Sequence, residues 1–308
     1  MGQYSATFRP VRDASVQHQL YGASTAWEAL DDIESDNDST YIFQPVNTDT
    51  TGQTVTTAIV LFGSIESTAP KIRIDSATLH IRTYNTSATS GVGGSGSVKT
   101  DVTYEIEGTT GSGTASSSTT WTDRTISVDV SLFNNRIGAY EIPVTLATTG
   151  TRGNGSKSQD FEGRITQVYL EVTYDNYYDV TTIQCGTGSI QPSVEVKEGD
   201  SYDSINIVGT DHKVVHVFDG ETEVTDQCTR EQENVLYYVV PNVTTNREIK
   251  AIFDDYVEVF VKRNGVWLKG DKVFIKVGGA WSEQTPSIDT VISGVFEGKK
   301  LLIDGKLK

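Results

Sequence analysis

The chain has 308 residues, 36% of them hydrophobic, and a formal net charge of −16, which is length enough for two or three domains with cores of their own. The charge is uneven: from Tyr256 onward nine Lys and Arg stand against six Asp and Glu, a surplus of three positive charges, so the 255 residues before it carry −19. An acidic body is repelled by nucleic-acid phosphates and by anionic lipid, so neither nucleic acid nor membrane is expected as a partner, and apolar runs such as Thr57–Phe62 fall far below the roughly 20 residues of a membrane-spanning helix.

The first residues, Met1 to Arg9, show no basic region followed by an apolar run, so no secretory signal is read there and folding in a cytoplasm is expected. Beyond them, nearly every segment alternates apolar and polar residues with period two and is rich in β-branched side chains, the pattern of an all-β chain. Strands are predicted near 3–9, 40–46, 54–63, 71–84, 98–108, 124–132, 140–148 and 161–175. One short helix is predicted around Ser24–Leu30, behind a serine or threonine cap. Each strand hides one face only, so eight of them imply a second covering sheet, and a jelly-roll-like β-sandwich is expected over 1–176. The run Gly91–Gly96 matches GxGxxG, but no helix follows to present its N-terminus to a phosphate. That run and the Ser/Thr/Gly stretch 108–120 are read as flexible loops.

Residues 177–255 are expected to form a small all-β module, Ig-like or of a surface-repeat type. Gly199-Asp200 and Asp219-Gly220 are turn signals, and Ile249-x-Ala251-x-Phe253 reads as a closing strand. Cys185 and Cys228 fall in this segment without CxxC spacing, which argues against zinc. Free thiols are favoured over a disulfide in a reducing cytosol, with a cross-sheet pair as the alternative.

Residues 256–308 are expected to form a tandem of β-hairpins. Phe260, Lys262 and Trp267 recur fourteen positions later as Phe274, Lys276 and Trp281, with Asn264-Gly265 and Gly278-Gly279 at the turns. Glycine and asparagine tolerate the positive φ angles that two-residue hairpin turns require. Hairpins this short are not stable alone in water. Phe260, Trp267, Phe274 and Trp281 are therefore candidate docking residues, with packing into a small local core as the alternative.

Several segments resemble known families. Lys71–Asn85 and Arg164–Asp175 resemble strands of the jelly-roll modules of carbohydrate-binding and virion fibre proteins. Residues 177–255 look like the all-β repeat of bacterial and phage surface proteins, through Gly186, Gly188, Ile190, Pro192, Val196, Gly199–Ser201, Val215, Asp219, Gly220, Val224, Tyr238, Asn242–Thr244, Ile249, Ala251 and Phe253. The Gly-Val-Trp and Gly-Ala-Trp hairpins resemble segments of bacteriophage tail and fibre proteins. These resemblances imply an accessory protein of a phage virion (a head fibre, decoration, collar or tail-associated protein). It would be assembled in the host cytoplasm, with other virion proteins as partners and as a homo-oligomer.

No GxSxG, HExxH or P-loop is present and the four histidines are scattered, so a non-enzymatic role is expected, ahead of a polysaccharide-degrading one. The run Leu30–Ile42 places Asp32, Glu34, Asp36 and Asp38 at every second position. A folded loop could aim those oxygens at a structural calcium, and a solvated charge run is the alternative. No other cofactor is expected. The alternative function is a carbohydrate-binding adhesin for host surface glycans. Sugars stack on flat aromatic rings, and Trp27, Trp121, Tyr21, Tyr41 and Tyr84 are the candidates, with core packing as the competing role for each.

Overall fold

In the computed structural model the described residues are 3–16, 19–30, 40–48, 53–85, 96–115, 118–151, 159–210, 214–232 and 234–253, with the strand segments 259–263, 266–270, 273–277, 280–284, 294–297 and 300–303. Strands make up 71% of the structure and helix 6%, so the protein is all-β. It divides into two compact units, Gly2–Tyr177 and Tyr178–Lys308.

The first unit contains β1 (Tyr4–Val16), β2 (Gln19–Tyr21), helix α1 (Ala26–Leu30), β3 (Tyr41–Thr48), β4 (Gln53–Ile65), β5 (Lys71–Asn85), β6 (Ser97–Ile106), β7 (Thr109–Ala115), β8 (Thr122–Ser127), β9 (Gly138–Thr151) and β10 (Gln159–Cys185), whose last part belongs to the second unit. One sheet runs β2-β3-β10-β5-β8 and the other β1-β4-β9-β6-β7. Strand β1 serves both: Tyr4–Phe8 pair with Tyr174–Leu170 of β10, while Arg9–Val16 pair with β4. Register shifts between Pro10 and Arg12 and between Asp13 and Ser15 bend it at the crossing. The inward rows of both sheets meet in one core, including Ile42, Leu79, Ile81, Val168 and Leu170 from the first and Ile59, Leu61, Val102, Val144 and Leu146 from the second.

Helix α1 also buries Ala26, Ala29 and Leu30. Its start is a capping box: the Glu28 carboxylate accepts from the backbone N–H of Ser24 and Thr25 at 3.1 and 3.0 Å, and the Thr25 hydroxyl accepts from the Glu28 N–H at 3.4 Å. Asp13 of β1 accepts from Ala26 and Trp27, satisfying N–H groups that a helix start leaves orphaned.

A polar layer crosses the core. Gln44, Thr57, Thr100 and Thr148 are fully buried. Gln44 Nε2 donates to Thr57 Oγ1 at 2.9 Å and to the Leu146 carbonyl at 3.2 Å. The Thr148 hydroxyl donates to Gln44 Oε1 and lies 3.1 Å from that of Thr100, which donates to Asn85 Oδ1 at 3.3 Å. This links β3 and β5 of one sheet to β4, β6 and β9 of the other, in a place where an unpaired polar group would be expensive.

Two expectations are corrected. The stretch from 108, read as a flexible loop, contains the strand β7, joined to β6 through Glu107 and Gly108, both at positive φ. Its small residues have a packing reason: a Cβ on Gly111 would overlap the Tyr104 ring. The strand predicted over 124–132 ends at Ser127, and Val130–Phe133 form a 3-10 turn because the Asp129 carboxylate caps the Ser131 N–H at 2.9 Å.

In the second unit β10 continues through Cys185, parallel to β18 (Arg247–Phe253), which pairs in turn with β14 (Val214–Asp219) and through it with β15 (Thr222–Glu223). Strand β12 (Val194–Lys197) pairs with β10, and a separate sheet runs β11 (Ser189–Ile190), β13 (Tyr202–Val208), β17 (Val235–Val240), β16 (Thr229–Gln232). Tyr238 of β17 donates to Asp219 of β14 at 2.8 Å, and Arg247 grips both oxygens of that carboxylate, with Nε to Oδ1 at 2.7 Å. Burial, then the Asp219 bond, pushes the Tyr238 phenol far up. Cys185 and Cys228 are not joined in a disulfide, and burial pushes the Cys228 thiol up to about 11.

Further along lie three two-stranded hairpins: β19 (Val259–Arg263) with β20 (Val266–Gly270), β21 (Val273–Val277) with β22 (Ala280–Gln284), and β23 (Gly294–Glu297) with β24 (Lys300–Ile303). The first two share one register, fourteen residues apart: Lys262 opposes Trp267 and Lys276 opposes Trp281.

Gly163 of β10 sits against the polar layer, where a Cβ would overlap the Thr148 hydroxyl. Gly163→Ala is expected to lower the stability of the first unit by about 1–3 kcal/mol, the usual range for overpacking a closed core. Urea denaturation followed by circular dichroism measures it.

Candidate functional site

The outward face of the β3-β10-β5-β8 sheet carries the candidate site. Along β10, Ile165, Val168, Leu170 and Val172 are buried in the core. By alternation Glu162 and Arg164 face outward on one side of Thr166, and Gln167, Tyr169 and Glu171 on the other. Arg164 and Tyr169 are an odd number of positions apart and would oppose each other on a regular strand. A bulge between Ile165 and Gln167 restores the phase, and the Thr166 hydroxyl anchors it by donating to the Thr40 carbonyl.

Arg164 is paired across the sheet with Phe43 of β3 and with Tyr84 of β5. Its guanidinium carbon lies 5.2 Å from the ring centres of both Tyr41 and Tyr84 and 6.0 Å from that of Phe43. Trp121, just before β8, closes the group: its ring centre is 5.9 Å from Tyr41 at an interplanar angle of 62° and 5.7 Å from Tyr84 at 49°. The cation therefore sits among electron-rich ring faces, each contact contributing about 0.5–2 kcal/mol according to how dry it is. Arg164 Nη2 donates to Glu162 Oε2 at 2.8 Å, and its buried Nε has no hydrogen-bond partner. The four aromatic residues are all half-buried.

The same outward rows continue. Arg82 is paired with Gln167, and its guanidinium reaches Asp123 of β8 at 2.9 Å. His80 is paired with Tyr169, and their rings stack at 4.4 Å with 2° between planes. Burial, then the Glu171 and Asp123 charges, raises the Tyr169 pKa.

Of the residues expected to contact a glycan, the structure brings Tyr41, Tyr84 and Trp121 together. Trp27 sits on α1, and none of the described ring contacts links it to the group. Tyr21 pairs with Tyr41 by backbone register. Sequence reasoning missed Arg164, Phe43 and Glu162. Their only signal is outward parity in a strand, and nothing in the order of residues says that positions 43, 84 and 164 are neighbours. The proposed calcium residues Asp32, Glu34, Asp36 and Asp38 lie outside the described residues. Among the described residues no group of three His, Cys, Asp or Glu is arranged to hold a metal. The side chains of Phe260, Trp267, Phe274 and Trp281 are likewise outside them, although their strands are placed.

Compared with protein-family models and with curated proteins, the chain matches no family model and no curated protein.

Replacing Arg164 with Met keeps a long apolar stem but removes the charge shared by the three rings and its hydrogen bond to Glu162. Arg164→Met is expected to cost about 1–2 kcal/mol and to weaken the near-UV dichroism of the clustered rings. Denaturant titration of the variant against the parent protein measures both.

Proposed function

We propose that this chain is a non-enzymatic, all-β display protein whose N-terminal sandwich holds a saccharide on the aromatic face around Arg164, and that it works on the exterior of a phage particle. The observation that carries the saccharide reading is the grouping of Tyr41, Tyr84 and Trp121 about one arginine on an outward sheet face. A pyranose offers an apolar C–H face and a rim of hydroxyls, and it is complemented by a flat ring with charged or amide groups beside it. Here the ring is Trp121, packed against Tyr41 and Tyr84, or one of those tyrosines, which flank the Arg164 guanidinium, and the rim partners are Glu162, Arg164 and Asp123. Pre-ordered rings bind more tightly because less motion is lost on binding. The virion setting rests on the resemblance of 177–255 to surface-repeat modules and of the Trp hairpins to phage tail and fibre segments.

A glycan array displaying bacterial surface polysaccharides, probed with the full chain, tests the saccharide reading. Binding to a subset is expected, weakened about tenfold or more by Trp121→Ala, since an aromatic contact plus its buried area contributes on the order of 1–3 kcal/mol. Silence across the array would remove it.

A second role, as an assembly element, is favoured by the hairpins. Each is a two-stranded sheet, a unit marginal in water without a partner surface, and they lie in the basic end of an acidic chain. The partner is another virion protein or a second copy. Removal of 256–308 is expected to lower the solution mass or to abolish incorporation into particles. A variant unchanged in both would end the assembly reading.

A further inference from the structure

We infer that the ligand of this face is a chain of linked sugars gripped at two platforms along β5 and β10, not a single terminal sugar; this rests on the saccharide reading above. The first platform is the group around Arg164. The second is the stacked His80–Tyr169 pair, placed on the same face by the bulge at Thr166. Tyr84 and His80 are four positions apart on one strand, about 13 Å at roughly 3.3 Å per residue. One pyranose ring cannot span that distance, so a ligand touching both platforms has several sugars in line.

The strip between the platforms is built for hydroxyl groups. Arg82 and Asp123 pair there, and 72% of the Asp123 side chain is exposed, leaving carboxylate lone pairs open to a donor. Gln167 is only 7% exposed, and its Nε2 has no hydrogen-bond partner. Arg164 Nε at one end has no hydrogen bond, while His80 Nε2 at the other lies 3.5 Å from Glu171 Oε2. Buried polar atoms without partners are uncommon in folded proteins. These atoms lie beneath the surface of the strip, so the groups open to a hydroxyl are the exposed Asp123 carboxylate and the charges beside it.

Tyr, Trp, Phe and Arg are also enriched in protein interfaces, so it is the lack of fully exposed apolar area on the strip that favours a hydroxylated ligand. The exposed large hydrophobic residues among those described are Val11, Phe62, Ile183 and Val239, none of them on this strip, which offers half-buried rings and paired charges instead.

The test uses the full chain and a length series, from single sugars to long oligomers, cut from the bacterial surface polysaccharides bound on the array, with affinities read by calorimetry. Affinity is expected to climb with length until both platforms are bridged, and then to level off. Tyr169→Ala is expected to reduce the ratio of long-chain to short-chain affinity several-fold, to about tenfold at most. Tyr169→Phe, which keeps the ring, should lose less, and a thermal melt of each variant reports whether the sandwich is intact. Affinity independent of length, still sensitive to Trp121→Ala, would overturn the chain inference and leave the saccharide reading standing. Absence of binding to every polysaccharide would sink the saccharide reading itself. A long-chain preference untouched by Tyr169→Ala in a folded variant would place the second contact elsewhere and overturn the two-platform geometry.

Discussion

Burial of one face of β10 is the constraint on which the N-terminal unit depends. Val168, Leu170 and Val172 must point between the sheets to be removed from water, and every other property of the outward face follows from that choice and from the single extra residue at Thr166. Without the bulge, Tyr169 would enter the core and Leu170 would face solvent, a change that hydrophobic burial forbids. With it, the core row stays continuous and two outward rows, from Glu162 to Arg164 and from Gln167 to Glu171, are brought into line. The bulge thus serves the core and the candidate site together.

Polar groups organise both units, in different ways. In the first, neutral side chains of Gln44, Thr57, Thr100 and Thr148 cross between the sheets. A layer of this kind adds little net energy, since each bond replaces one to water, but it penalises any slippage of one sheet over the other. In the second, the joining group is charged: Asp219, with 3% of its side chain exposed, is held by Arg247 and Tyr238. A carboxylate so placed is tolerated only because three donors surround it. Asp219 also begins the turn into β15, so one residue selected by turn chemistry also ties a strand of one sheet to a strand of the other.

The aromatic site shows how far reading a sequence reaches. Tyr41, Tyr84 and Trp121 are visible as aromatic residues in or beside predicted strands, and their chemistry marks them for stacking. Trp27, equally aromatic, sits on a helix anchored by Asp13, and no sequence pattern separates it from the other three. Arg164 is silent in the sequence because a charged residue at an outward strand position is ordinary. It becomes informative only when Phe43 of β3, Tyr84 of β5 and Arg164 of β10 are brought side by side. The Ser/Thr/Gly stretch after residue 108 carries the same lesson in reverse. Its composition says loop, whereas the Tyr104 ring needs the space that glycine leaves, and strand pairing with β6 supplies the backbone order.

Period-two alternation, turn residues and a serine or threonine cap determine by themselves that the chain is all-β, where the short helix α1 begins, and that hairpins recur fourteen residues apart beyond residue 256. These are local properties, set by side-chain parity and by the φ angles that particular residues accept. Tertiary structure alone decided which strands are neighbours, that β1 belongs to two sheets, and that a bulge puts Arg164 and Tyr169 on one face. Register between strands distant in sequence is chosen by the burial of whole rows at once, and that sum is not written in any single segment.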